Sequence, residues 1–162
     1  MRFTYILLPL CLLLFTEPVR AENPPLTIVE QDYERALELA AEQDKLLFID
    51  FYTVWCGPCK QLDKYVFHND SLKGLLGQQV VLLKYDAEQD TTFHLSKKYH
   101  VNSYPMGLLL TPEGRVLTRK AGFAGSDAAS LGRSVLDFVG EGVKLRAQKK
   151  WLSGYAPVID PT

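Results

Sequence analysis

Cysteine is scarce in this chain of 162 residues: there are three, Cys11, Cys56 and Cys59. A disulfide-stapled miniature fold is therefore not in question, and a chain this long can bury a sizeable core without staples or metals. Histidine is as thinly supplied, with only His68, His94 and His100. Neither these nor a second cysteine pair gives the roughly four ligands at matched spacing that a zinc site needs, so no metal is expected and the histidines read as surface or packing residues. Charge of one sign is also lacking. The formal net charge is -1, which leaves no concentrated basic surface for nucleic acid or anionic lipid. Internal repeats and low-complexity tracts are missing too.

Long apolar runs are confined to the N-terminus. Arg2 is followed by an apolar stretch from Phe3 to Phe15, broken by Thr4 and Pro9, and then by the polar and small residues Thr16 to Ala21. A basic start, a short apolar centre and an exit at Val19-Arg20-Ala21 read as a secretory signal peptide over residues 1–21, cleaved before Glu22. A retained membrane anchor is the competing reading, for which the run is short against the ~20 apolar residues of a span. Lipid modification of Cys11 is a third, disfavoured by the bulky Leu8 and Leu10 ahead of it. Cleavage removes Arg2, Glu17 and Arg20, shifts the net charge from -1 to -2, and leaves Cys56 and Cys59 as the remaining thiols. The destination would be periplasmic or secreted, where disulfides persist.

Residues 22–29 form a polar, proline-containing lead-in. From Asp32 to Gln43 the side chains Tyr33, Ala36, Leu37 and Ala40 recur at three- and four-residue spacing and predict an amphipathic helix. Leu46-Leu47-Phe48-Ile49, continued past Asp50 by Phe51 and Tyr52, predicts a strand covered on both faces. A helix from Cys56 to the region Gly74–Gly77 and a strand from Val80 to Tyr85 follow. Asp90 or Thr91 caps a short helix through Tyr99. Met106 to Leu110 and Arg115 to Ala121 form a hairpin about Thr111-Pro112-Glu113-Gly114. Ser126 caps a last helix carrying Ala128, Leu131, Val135 and Phe138, weakened at Gly132 by up to about 1 kcal/mol. Residues 141–162 are set apart as a C-terminal extension with a weak stripe of Val143, Ala147 and Trp151. Strands alternating with helices and closed by a hairpin indicate an α/β sandwich with a mixed sheet.

Cys56 and Cys59 stand where the first of these strands gives way to a helix. Free backbone N–H groups and the positive end of the helix dipole stabilise a thiolate there, so Cys56 is the expected attacking thiol. Cys59, one turn further in, is the expected resolving thiol. Pro58 is tolerated in a first helical turn, where its missing N–H has no partner to lose. Trp55 offers a flat apolar surface to a substrate chain. The bland alternative is a structural disulfide, but so short a loop constrains little of the unfolded chain. Two successive exchanges through the pair would reduce or oxidise a substrate disulfide with no cofactor.

The segment Trp55-Cys56-Gly57-Pro58-Cys59-Lys60 follows the strand Leu46–Tyr52, and Tyr104-Pro105 precedes the strand-turn-strand Met106–Ala121 and Gly122. In these features residues 30–140 resemble the thioredoxin superfamily. The resemblance implies a thioredoxin fold, α/β, with a central mixed β-sheet flanked by helices on both faces, in a protein acting as a monomer. It implies a cis-proline at Pro105, with Tyr104, Pro105 and Met106, beside Trp55, Gly57 and Pro58, contacting a bound peptide; an ordinary strand-start proline is the alternative. Asp50 matches the family's buried carboxylate, six residues before Cys56. Such an acid should have a raised pKa and exchange protons with Cys59 through water, unless it is a partnered core aspartate without a kinetic role. Leu82 stands in the place of the lysine that accompanies this carboxylate in thioredoxin, and Lys84, two residues on along the same strand face, is the open alternative. Gly57-Pro58 resembles the reducing members. The helix leading into Lys45-Leu46-Leu47-Phe48, with the export signal, resembles exported thioredoxin-like proteins and the C-terminal domain of the transmembrane disulfide reductase. The resemblance therefore implies reduction of protein disulfides outside the cytoplasm, with a membrane-bound thiol electron donor. An oxidase, an isomerase and a partner-binding module are the alternatives.

Overall fold

Alternation along one strand organises the molecule. In the computed structural model, which describes residues 24–155, the chain runs β1 (Thr27–Glu30), α1 (Tyr33–Glu42), β2 (Leu46–Tyr52), α2 (Gly57–Leu62), a π-helical turn (Asp63–Phe67), α3 (Asp70–Gly77), β3 (Val80–Asp86), a 3-10 turn (Ala87–Gln89), α4 (Leu95–Lys98), β4 (Met106–Leu110), β5 (Val116–Ala121) and α5 (Ala128–Ala147). The strands form one sheet in the order β1-β3-β2-β4-β5. β1 and β2 run parallel to β3, while β4 is antiparallel to both β2 and β5. The sheet is mixed, as expected. The expected signal segment 1–21 lies outside the described residues.

Successive β2 side chains point to opposite faces, and both faces are covered. Leu47, Ile49 and Phe51 pack with Tyr33, Leu37 and Ala40 of α1 and with Leu95 and Tyr99 around α4. Leu46 and Phe48 pack with Leu62, Val66 and Phe67 and with Leu131, Val135 and Phe138 of α5. This double cover is why the strand reads as a continuous apolar run. Asp50 falls on the second face, beneath α2, and the register sets it opposite Lys84 of β3 on one side and Gly107 of β4 on the other.

Two local expectations hold. The helix expected from Asp32 to Gln43 forms as Tyr33–Glu42 between caps at those two residues, Asp32 accepting from the N–H of Arg35 at 3.0 Å, and the hairpin turns at Thr111 to Gly114, where the Gly114 N–H donates to the Thr111 carbonyl at 2.9 Å.

Others differ for identifiable reasons. The single helix expected from Cys56 to Gly74–Gly77 is three pieces, because a π-helical turn follows Leu62 and Asn69 starts a new helix by accepting from the N–H of Leu72 at 3.2 Å. The helix expected from Asp90 or Thr91 to Tyr99 shrinks to Leu95–Lys98. Asp90 still caps it, reaching across five residues to the N–H groups of Leu95 at 3.0 Å and Ser96 at 2.7 Å. The last helix is capped by Asp127 rather than Ser126, through a reciprocal capping box with Ser130. Gly132 lies where α5 crosses α3: a Cβ there would stand 2.8 Å from Leu72 Cδ1, so close packing accounts for a residue that helix propensity disfavours.

Two segment boundaries also look different in three dimensions. Thr27–Glu30 overlaps the lead-in 22–29 yet pairs with β3 as an edge strand. Across the 140/141 boundary α5 continues unbroken to Ala147, and Trp151, expected on a helical stripe, lies beyond it beneath the Arg115 guanidinium, 4.7 Å from the ring centre. The chain then returns to the sheet. Leu152 N–H donates to the Val116 carbonyl at 2.8 Å, and the Tyr155 hydroxyl accepts from Arg119 at 2.9 Å.

Candidate active site

β2 ends at Tyr52, and Thr53-Val54-Trp55 carries the chain to Cys56, whose N–H donates to the Thr53 carbonyl at 3.2 Å. Cys56 is the N-cap of α2 and Pro58 sits in its first turn, where a lost N–H costs no helical hydrogen bond. Cys56 and Cys59 are joined by a disulfide with Cα atoms 5.3 Å apart. The Cys59 N–H donates to Cys56 Sγ at 3.2 Å. Exposure does not separate the two cysteines, since each is 4% exposed. Their surroundings do. Cys56 occupies the cap position and receives a backbone donor, while Cys59 lines a pocket, open to the surface, that it shares with Asp50.

Around the pair the surface is aromatic. Trp55 is 65% exposed, Val54 beside it 59%. The indole N–H of Trp55 donates to Glu88 Oε1 at 2.9 Å, and its ring meets Tyr104 edge-on with centres 6.1 Å apart. This pairing brings the segment before the cysteines against the one containing Pro105, although 49 positions separate Trp55 from Tyr104 in the sequence. The Tyr104–Pro105 peptide is cis. The Pro105 carbonyl accepts from the Gly122 N–H at 2.8 Å, which ties this loop to the end of β5. Gly57 faces open space and Pro58 is exposed. Pro105 and Met106 are both buried, and the Met106 side chain, 2% exposed, is packed into the core.

Behind the cysteines lies a cavity of about 260 Å³ lined by Asp50, Tyr52, Thr53, Val54, Cys59, Lys60, Asp63 and Lys84. Asp50 is buried, and its Oδ1 has no hydrogen-bond partner among the described residues. Burial pushes its pKa up to about 7, against the opposing attraction of Lys84 and with added repulsion from Asp63. The lysine question is settled by register: Lys84 lies directly across from Asp50, while Leu82 is buried in the apolar cluster. Lys84 Nζ bonds to Asp63 Oδ1 and sits over the Tyr52 ring, 5.1 Å from its centre. Asp63 is the residue that reading the sequence overlooked. Its signal was a spacing of four from Cys59, which puts both on one helical face. His68, expected at the surface, is exposed there with Nδ1 3.3 Å from Asp63 Oδ2. Among the described residues, no group of three His, Cys, Asp or Glu side chains could hold a metal ion, and no helix is long and apolar enough to cross a membrane.

A disulfide pair at a helix N-terminus, between an aromatic rim and a buried carboxyl, is a constellation for thiol exchange, and comparison with known proteins points the same way. The thioredoxin-like family model matches residues 28–112. Thioredoxin-1 of Drosophila melanogaster is 37% identical over 100 residues, covering 62% of this chain and 83% of the relative. The thiol:disulfide interchange protein DsbD of Yersinia pestis is 34% identical over 89 residues, 52% of this chain but 15% of that much longer protein. Among solved structures, a candidate disulphide isomerase of Bacteroides thetaiotaomicron superposes with a TM-score of 0.58 at 35% identity, covering 76% of this chain and 98% of that one. The chain belongs to the thioredoxin-like family. It is a thiol-disulfide oxidoreductase working through the Cys56–Cys59 disulfide.

Proposed function

We propose that the protein reduces disulfides of other proteins outside the cytoplasm, with Cys56 as the attacking thiol and Cys59 as the resolving one. The observation that carries this assignment is the Cys59 N–H aimed at Cys56 Sγ at 3.2 Å, because a backbone donor at a helix cap stabilises the thiolate form of the sulfur it faces. In the dithiol form the Cys56 thiolate attacks one sulfur of a substrate disulfide. A mixed disulfide forms, and the other substrate sulfur leaves as a thiolate that takes up a proton. Cys59 then gives up its proton and attacks Cys56 Sγ, the mixed disulfide breaks, and the substrate's second sulfur departs. The substrate gains two electrons and two protons, and the protein is left with the 56–59 disulfide.

Asp50 is the proton partner of Cys59 in this reading. It lines the same pocket as that residue, and a carboxyl poised at about 7 can take a proton and return it near neutral pH. Trp55, Gly57 and Pro58 on one side and Tyr104, Pro105 and the backbone of Met106 on the other would hold the substrate as an extended peptide. The reducing direction is supported by Gly57-Pro58 between the cysteines and by the likeness to thioredoxin and DsbD. Export is supported by the residue pattern of 1–21, and a membrane-bound thiol donor by the likeness to DsbD. The likeness to the candidate isomerase favours isomerisation as a second reading. A Cys59→Ser variant should accumulate mixed disulfides between Cys56 and client proteins, and Cys56→Ser should trap none. Trapping through Cys59 instead, or a reduction potential near about -120 mV where strongly oxidising proteins lie, would overturn the proposal.

A further inference from the structure

Three charged side chains from three elements line the cavity behind the cysteines: Asp50 from β2, Lys84 from β3 and Asp63 from the π-helical turn. One ammonium thus shares the pocket with two carboxyl groups. It bonds to the outer one, Asp63, while the inner one keeps a buried Oδ1 without a partner among the described residues. An apolar strand position that sets a lysine directly across from an aspartate would ordinarily give a closed ion pair, since a buried carboxylate without one is costly. Here the pair is opened by a third group.

We propose that Asp63 is a positioning residue for the thiol chemistry: by bonding Lys84 it withholds the ammonium from Asp50, leaving that carboxyl able to carry the proton exchanged with Cys59. The inference rests on the reading of Asp50 as the proton partner of Cys59. Its physical basis is competition for one cation. An ammonium bonded to Asp50 would lock it as a carboxylate, and a second carboxylate nearby works in the opposite direction by repulsion. Asp63 supplies both effects, since it occupies Lys84 and adds negative charge beside Asp50. The remaining titratable or charged groups facing the cavity are Cys59 and Lys60 from α2 and Tyr52 from β2, and β4 presents Gly107 beside Asp50. On its solvent side Asp63 faces His68, whose Nδ1 lies 3.0 Å from the Asp63 backbone carbonyl and 3.3 Å from Oδ2.

The proposal is tested by titrating the Asp50 carboxyl itself in the oxidised protein. Its infrared or carbon NMR signal would be assigned by its loss in Asp50→Asn. Asp63→Asn keeps the shape of the side chain but frees Lys84, and should move the Asp50 midpoint down by roughly one pH unit or more. Lys84→Gln should move it up, and Asp63→Glu should restore the wild-type value. A purely structural Asp63 would leave the Asp50 midpoint unmoved in Asp63→Asn, while Lys84→Gln still raised it. An unchanged or raised midpoint in folded Asp63→Asn overturns the proposal. If that variant does not fold, a midpoint that fails to rise in Lys84→Gln does so. The reading of Asp50 is judged separately, by the pH profile of substrate reduction. If Asp50→Asn retains the wild-type profile, Asp50 is not the proton partner, while the carboxyl titration still reports whether Asp63 governs it.

Discussion

Replacing Asp50 with Asn should make the oxidised protein more stable relative to wild type as the pH rises. The carboxyl is buried, and its pKa is pushed from an ordinary 3.8 up to about 7 by loss of hydration. Between those two values the folded protein holds a proton that the unfolded chain has released, so wild-type stability falls with rising pH. One pH unit of displacement corresponds to about 1.4 kcal/mol, and the shift to about 7 therefore amounts to roughly 4 kcal/mol lost across the window. The contribution is fully present below about pH 4 and gone above about pH 7. Asparagine has nothing to titrate. The difference between wild type and Asp50→Asn, taken from urea unfolding at a series of pH values, should swing by that amount in favour of the variant. Working with the 56–59 disulfide intact keeps thiol titration out of the comparison, and the other ionisable groups, shared by both proteins, largely cancel in the difference. A difference that stays flat from about pH 4 to pH 8, or that moves in favour of wild type, would refute the account of Asp50 as a desolvated acid.

Two further substitutions test the scaffold that holds the site. Phe48 is fully buried beneath α2 and α5 and meets Phe67 and Phe138 edge-on at 5.9 and 5.6 Å. Phe48→Ala should cost about 3–5 kcal/mol in urea unfolding, from lost transfer energy and the cavity left behind. Asn69→Ala removes the cap that separates α3 from the π-helical turn; it should cost about 1 kcal/mol by the same measurement and leave the reduction potential unchanged.

Much of the site was legible because its signals are local. The Leu46–Tyr52 run gave its own boundaries, since a strand covered on both faces needs apolar side chains, and here Asp50 alone interrupts them. Cys56 and Cys59 were legible from their spacing at the strand-to-helix junction, and Tyr104-Pro105 through the family resemblance. The misses have several causes. The helix that Asp90 caps starts only at Leu95, and Asn69 splits what looked like one helix. Gly132 defies helix propensity because Leu72 of another helix presses against it.

Asp63 and Lys84 mark the same divide at the centre of the chemistry. The residues fix by themselves that this chain carries a thiol pair at a helix start, an acid within an apolar strand and alternating strands and helices, because those depend on neighbours close in sequence. Tertiary structure alone decided that Lys84 rather than Leu82 faces Asp50, that its ammonium is taken by Asp63, and that the segment past α5 returns to pair with β5. Strand register and helix placement determine which charges share a low-dielectric cavity, and a charge's effect depends on distance through space, not separation along the chain.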